Sequence, residues 1–181
     1  VFGFSGGAIL PLTDRFHSKW CGSINYIMNR TEQCAGHAAT GYAKSSNNIG
    51  VLITTSGPGL TNVVTPIQDA MSDGVPLIVL SGQVHKNSIG TQAFQECAAV
   101  DITRPCTKWS YQIRDIYELP LILHKAFYIA NVCDRPGPVH IDLPKDILLD
   151  TFDSSTLKSF SYNIPKSYLQ TVNEVQKNKL K

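Results

Sequence analysis

Apolar residues recur along this chain in two rhythms. Short runs of β-branched and aliphatic residues at 24–28, 50–55, 76–81 and 139–143 alternate with longer stretches of helical period at 8–18, 32–43, 60–71 and 118–132. The short runs are uniformly apolar, as strands are when helices cover both faces of their sheet. Strand and helix taking turns in this way predict βα units and an α/β fold, three layers deep (α/β/α), around a mainly parallel central sheet. The segment 32–43 is dense in small residues (Ala35, Gly36, Ala38, Ala39, Gly41, Ala43), which lets a helix lie close against a neighbouring backbone. After about residue 150 the rhythm stops. Residues 151–181 are rich in Ser, Asn, Lys and Tyr with few apolar anchors, and read as a linker or the start of a further domain.

Composition narrows the function classes. A chain of 181 residues, 43% hydrophobic and 17% charged, fits one ordinary globular domain with a real core plus a short extension. The formal net charge is only +2 and its cations are scattered, so neither nucleic acid nor an anionic membrane surface is an expected partner. Apolar runs such as 75–80 fall far short of the ~20 residues a membrane-spanning helix requires. Five cysteines, odd in number and widely spaced, point to reduced thiols inside a cell and not to a disulfide scaffold or zinc ribbon. Cys34-Ala35-Gly36-His37 has no matching second pair, so no metal site is expected within the chain. The sequence starts Val1-Phe2-Gly3, without an initiator Met or a signal segment, and reads as cut from a longer protein.

In open α/β sheets, ligands collect beyond the carboxyl ends of the strands. The first residue to note there is Glu32, which closes an apolar run and opens the alanine-rich helical segment. Its carboxylate would complement a helix dipole, a purely structural role, or meet a bound cofactor. Gly3-Phe4-Ser5-Gly6-Gly7 and Gly57-Pro58-Gly59 are loops that permit close ligand approach. The second lacks the third glycine of a dinucleotide fingerprint, because position 62 is Asn, and its proline removes a cradling amide. For Gln95 and Lys145 surface solvation is the competing reading, and for Arg135 it is capping of the preceding helix. His37, His85 and His124 have no Ser or Cys partner at a spacing that would suggest a hydrolase triad.

Taken together, five segments resemble the pyrimidine-binding domain of thiamine-diphosphate enzymes, most closely the acetolactate synthase (acetohydroxyacid synthase) catalytic subunits. They are Glu32-Gln33-x-Ala35-Gly36-His37, the run from Thr55-Ser56-Gly57-Pro58-Gly59 to Pro66, Ile89-Gly90-Thr91-x-Ala93-Phe94-Gln95-Glu96, Cys106-Thr107-Lys108-Trp109, and Arg135-Pro136-Gly137-Pro138 with Asp142-Leu143-Pro144-Lys145-Asp146. The resemblance covers 1–150. It implies a thiamine-diphosphate pyrimidine-binding domain in which Glu32 contacts N1′ of the aminopyrimidine, where a shared proton favours the imino tautomer that activates the cofactor. It also implies that Phe4, Gly7, Pro58, Asn62 and Gln95 surround the pyrimidine end, that Gly7, Phe94, Gln95 and Lys145 line the substrate path, and that Arg135 contacts FAD. The implied reaction joins the two-carbon unit of pyruvate to a second 2-keto acid, pyruvate or 2-ketobutyrate, in branched-chain amino-acid synthesis. The implied setting is cytoplasm in a prokaryote, plastid or mitochondrion in a eukaryote.

The Gly-Asp-Gly…Asn motif that holds Mg²⁺ and the diphosphate in these enzymes does not occur in the chain. The resemblance therefore assigns the metal and diphosphate anchors to a separate domain of a homodimer partner, allows for a regulatory subunit, and implies that this chain alone is inactive. Phe4-Ser5 stands where the family usually has Tyr-Pro, and Thr31 where it usually has His. Other carboligases or decarboxylases of the superfamily, acting on sulfoacetaldehyde or oxalyl-CoA, and a non-catalytic remnant remain as alternatives.

Overall fold

The computed structural model describes residues 1–17, 24–131 and 135–151. The reading of the tail as a linker, beyond Thr151, lies outside the described residues. Six strands form one sheet: β1 (Phe2–Gly3), β2 (Ile27–Met28), β3 (Gly50–Thr54), β4 (Leu77–Gln83), β5 (Trp109–Gln112) and β6 (Pro138–Pro144). Their order is β2-β1-β3-β4-β6-β5 and every pairing is parallel. The helices are α1 (Leu10–Phe16), α2 (Glu32–Ser46), α3 (Pro58–Thr61), α4 (Val64–Asp73), α5 (Ala99–Thr103), α6 (Leu119–Asn131) and α7 (Lys145–Leu149).

Alternate side chains of the central strands enter two separate cores. Leu52, Leu77 and Val79 pack on one face with Ala35, Ala39 and Ala43 of α2 and Ile67 and Ala70 of α4. Ile53, Ile78, Val139 and Ile141 pack on the other with Ile9, Ala126 and Ala130 of α6, and Ile147 of α7. The three-layer expectation holds, with a sheet that is wholly parallel. The small residues of α2 act as the sequence suggested: a Cβ on Gly36 would lie 2.4 Å from the Pro66 ring, and one on Gly50 would lie 2.4 Å from the Ala39 carbonyl.

Several boundaries differ, each for a local reason. The helix expected over 60–71 is broken into α3 and α4, because Pro66 has no N–H to donate to the Asn62 carbonyl and is tolerated only in a first turn. The helix expected over 8–18 is confined to Leu10–Phe16, and the strand expected over 24–28 to Ile27–Met28 at the sheet edge. Strand β1 is too short to register as an apolar run. Strand β5 escapes the same criterion because it alternates Trp109 and Tyr111 with Ser110 and Gln112, as an edge strand does. The short α5 and α7 were not expected.

Candidate active site

From β1 the chain crosses to β2 on one side and then to β3 on the other, so the strand order reverses between β1 and β3. Such a switch point opens a crevice at the carboxyl ends of the two strands, the ordinary binding position in doubly wound sheets. The crevice is flanked by Phe4–Gly7 after β1 and by Thr55–Gly59 after β3. A Cβ on Gly6 would lie 2.5 Å from Thr55, whereas one on Gly7 would meet nothing within 4 Å. The loop is thus pinned at Gly6 and open at Gly7.

Glu32 is the first residue of α2. The preceding Thr31 is extended (φ −144, ψ 156) and its hydroxyl accepts from the Cys34 amide at 3.2 Å, a side-chain N-cap. Across the crevice, Asn62 closes α3 and its Nδ2 donates to Glu32 Oε2 at 3.1 Å. The bond takes one carboxylate oxygen, leaving Oε1 for a ligand. Two residues that are 30 apart in sequence are thereby joined at the switch point.

The next loop along the edge is held against the second glycine. Gly57 has φ +55, and a Cβ there would come 2.5 Å from the carbonyl of Gln95, itself at φ +59. Neither position suits a side chain without reason, and at Gly57 backbone contact and positive φ both require glycine. Between Ile89 and Cys97 the Glu96 carboxylate turns back to accept from the amides of Gly90 and, at 3.0 Å, Ala93. These amides, Gly90 foremost, hold the Glu96 carboxyl below the usual carboxylate range. The loop presents Phe94 almost bare to solvent, 88% exposed.

Of the residues singled out from the sequence, Glu32 meets Asn62 directly and Gly57-Pro58 backs onto Gln95. Phe4 and Gly7 flank the same crevice. Lys145 opens α7 on the same edge after β6, but β6 is three strands from β1, a separation of ~14 Å. Arg135 is elsewhere. It precedes β6 at the opposite edge, where its guanidinium donates to the carbonyls of Met71, at 3.1 Å, and Ser72. It does cap a helix, but the helix is α4 and not the preceding α6, because Gly74 leaves room for the guanidinium beside the α4 terminus.

The sequence reading missed a buried polar network just beneath this edge. Ser81 and Gln83 of β4, Gln112 of β5, and His140 and Asp142 of β6 share one face of the sheet, continuing the apolar row Leu77 and Val79. Asp142 accepts from Ser81 Oγ at 2.6 Å, Gln83 Nε2 at 3.1 Å and Gln112 Nε2 at 2.8 Å. Burial pushes its carboxyl up to about 6 in spite of these three donors. His140 is fully buried, and burial pushes its imidazole down to about 3. Ser81 Oγ, which donates to Asp142, also lies 2.8 Å from His140 Nε2, and Thr103 Oγ1 lies 2.8 Å from His140 Nδ1. Serine lies between histidine and carboxylate and is wholly buried, so the trio is not a hydrolytic triad. Polar residues at i and i+2 in three neighbouring strands were the legible signal: Ser81/Gln83, Ser110/Gln112 and His140/Asp142.

Among the described residues no group of three His, Cys, Asp or Glu could hold a metal ion, and no helix is long and apolar enough to cross a membrane. The model of the thiamine pyrophosphate enzyme N-terminal TPP binding domain matches residues 1–102, more than half of the chain. The chain belongs to that family. This thiamine pyrophosphate enzyme domain is 52% identical over 147 residues to the mitochondrial acetolactate synthase catalytic subunit of Saccharomyces cerevisiae, covering 81% of the chain and 21% of the relative. It is 50% identical over 165 residues to the acetolactate synthase large subunit of Lactococcus lactis, covering 91% and 28%. To the isozyme 3 large subunit of Escherichia coli it is 48% identical over 148 residues, covering 82% and 25%. The chain thus spans between a fifth and three tenths of the length of these curated relatives.

The crevice suits the pyrimidine half of thiamine diphosphate. It offers a carboxylate oxygen with its partner oxygen fixed and an unobstructed glycine. Among the described residues it offers no cluster of ligands for a metal ion.

Proposed function

We propose that this chain forms the pyrimidine-binding half of the active site of an acetolactate synthase catalytic subunit. The observation that carries the reading is the Asn62–Glu32 hydrogen bond across the β1/β3 switch point. Asn62 orients the carboxylate by occupying Oε2, and Oε1 would be the atom that holds the proton shared with N1′ of the aminopyrimidine. When bound, thiamine diphosphate supplies the electron sink for decarboxylating a 2-keto acid. Phe4, Gly7, Pro58 and Gln95 enclose the pyrimidine end and exclude water from the shared proton. Phe94 and Lys145, together with Gly7 and Gln95, line the approach of pyruvate and of the second 2-keto acid, pyruvate or 2-ketobutyrate. The Lys145 ammonium makes no ion pair among the described residues and is suited to the substrate carboxylate.

The remaining parts of the site are assigned elsewhere. Residues of a homodimer partner would hold Mg²⁺ and the diphosphate, and that partner would cover Phe94. Arg135 would contact FAD at the opposite edge of the sheet, with the guanidinium N–H groups that the α4 carbonyls leave free. Residues 1–150 would constitute the pyrimidine domain, and 151–181 a linker or the start of a further domain. The enzyme works in a reducing compartment, in cytoplasm, mitochondrion or plastid according to its host.

The test is Glu32→Gln in the full-length protein, assayed for acetolactate formed from pyruvate. Loss of the shared proton should lower turnover by about 10²- to 10⁴-fold, the range general acid–base groups contribute, with the circular dichroism spectrum unchanged. Turnover close to that of the parent would overturn the assignment.

A further inference from the structure

Gln83 is the last residue of β4, 1% exposed, and all three hydrogen-bonding functions of its carboxamide that the fold can reach are used. Its Nε2 donates to Asp142 Oδ2 at 3.1 Å and to the main-chain carbonyl of Cys97 at 3.1 Å, while its Oε1 accepts from the Val84 amide at 2.9 Å. Two acceptors on one side and a donor on the other fix the amide orientation without ambiguity. Asp142 is in turn held by Ser81 and Gln112 from the strands on either side of β6. One end of the Gln83 side chain is therefore anchored in the sheet. The same Nε2 holds the Cys97 carbonyl, at the end of the loop that carries Phe94 and Gln95.

Besides Gln83, the loop is held where Cys97 packs against the buried core and its sulfur meets the Gly57 amide. Its Glu96 carboxylate bonds the loop's own amides at Gly90 and Ala93, which shapes the loop but does not locate it. Its approach to the crevice is at Gly57, where the Gln95 carbonyl leaves no room for a Cβ. We propose that Gln83 is a positioning residue for the cofactor site: by tying the Cys97 carbonyl to the buried Asp142, it sets Gln95 against Gly57 and Pro58 beside the Glu32–Asn62 pair. This rests on the reading of the crevice as a thiamine-diphosphate site. A glutamate at 83 would direct an acceptor at two acceptors, Asp142 and the Cys97 carbonyl, so the requirement is for an amide and not merely for size or polarity.

The experiment uses the full-length protein and measures acetolactate formation against thiamine diphosphate concentration, with Glu32→Gln alongside. Gln83→Met keeps the side-chain length and removes both donors. It should raise the cofactor concentration for half-maximal activity about five- to tenfold, the effect of losing one or two net hydrogen bonds, and lower kcat as well. Amide hydrogen exchange over 89–97 should accelerate while exchange over 50–54 stays as in the parent. A merely structural role would reduce the amount of active protein and leave the half-saturation point where it was, which would overturn the proposal.

A second variant keeps the test open if Gln83→Met does not fold. Gln83→Glu combined with Asp142→Asn restores a donor–acceptor pair between 83 and 142 but leaves the Cys97 carbonyl without its donor. Its thermal midpoint should recover relative to Gln83→Glu alone while the half-saturation point stays raised. Recovery of both together would overturn the link through Cys97. If the parent forms no acetolactate, the site reading fails, and hydrogen exchange over 89–97 still decides whether Gln83 holds the loop.

Discussion

Thr31 and Glu32 show how one residue settles the setting of the next. A helix dipole alone would make Glu32 comfortable, and nothing in its spacing distinguishes that role from a chemical one. What distinguishes it is the pair of contacts around it. Thr31 already caps the helix through the Cys34 amide, so Glu32 is not needed as a cap, and Asn62 holds one oxygen from across the crevice. Thr31→Ala should destabilise the folded protein by about 1 kcal/mol, as loss of an N-cap does, with a lower urea midpoint at constant m-value. An unchanged midpoint would mean that α2 is held wholly by its packing. Gly57 is the other position where a single residue decides geometry, because positive φ and the Gln95 carbonyl both exclude a side chain.

Among the elements, β4 and β6 carry the main surprise. Each is apolar through its middle and turns polar on one face toward its carboxyl end, so a face that begins at Leu77 and Val79 finishes at Ser81 and Gln83. The two titratable members of the resulting network oppose each other in acid. His140 is held at about 3 when folded against its ordinary 6.5, so the stability it contributes is complete above about 6.5 and is lost as pH falls toward 3. Asp142 is held at about 6 against its ordinary 3.8, so the folded state takes up its proton first and gains stability as pH falls from about 6 to about 4. The two slopes cancel over that window. Asp142→Asn removes only the second, and its stability relative to the parent should fall by about 3 kcal/mol between pH 6 and pH 4, as thermal melts at a series of pH values would record. Parallel curves would remove the Asp142 contribution.

At the scale of the whole molecule, one sheet edge gathers the segments that follow all six strands, and its exposed side chains are unusual for a finished surface. Phe94 is 88% exposed, Met28 69% and Phe4 36%, all at or beside the carboxyl ends of strands. No metal cluster accompanies them among the described residues. The 181-residue chain by itself should therefore form no acetolactate from pyruvate when supplied with thiamine diphosphate and Mg²⁺, whereas the full-length protein should. Measurable turnover by the chain alone would show that it holds the diphosphate and metal without another domain.

The division between what was legible and what was not follows from the range of the interactions. Hydrophobic rhythm is a local property, fixed by which residues fall on one face of a helix or strand, so the α/β class, the strands β3, β4 and β6 and the helices α2 and α6 could be read directly. Glu32, Asn62, Pro58 and Gln95 could be picked out because each belongs to a short contiguous motif. Their assembly could not. The edge strand β5, the two-residue β1, the Arg135 cap on α4 and the network around Asp142 join residues from different strands and loops, as with Gln83 and Asp142, 59 positions apart. Sequence determined the elements and the residue types at their ends. Only the tertiary structure decided that the order of the strands reverses between β1 and β3, which opens the crevice and brings Asn62 to Glu32, because that depends on how the crossovers pack and not on any one segment.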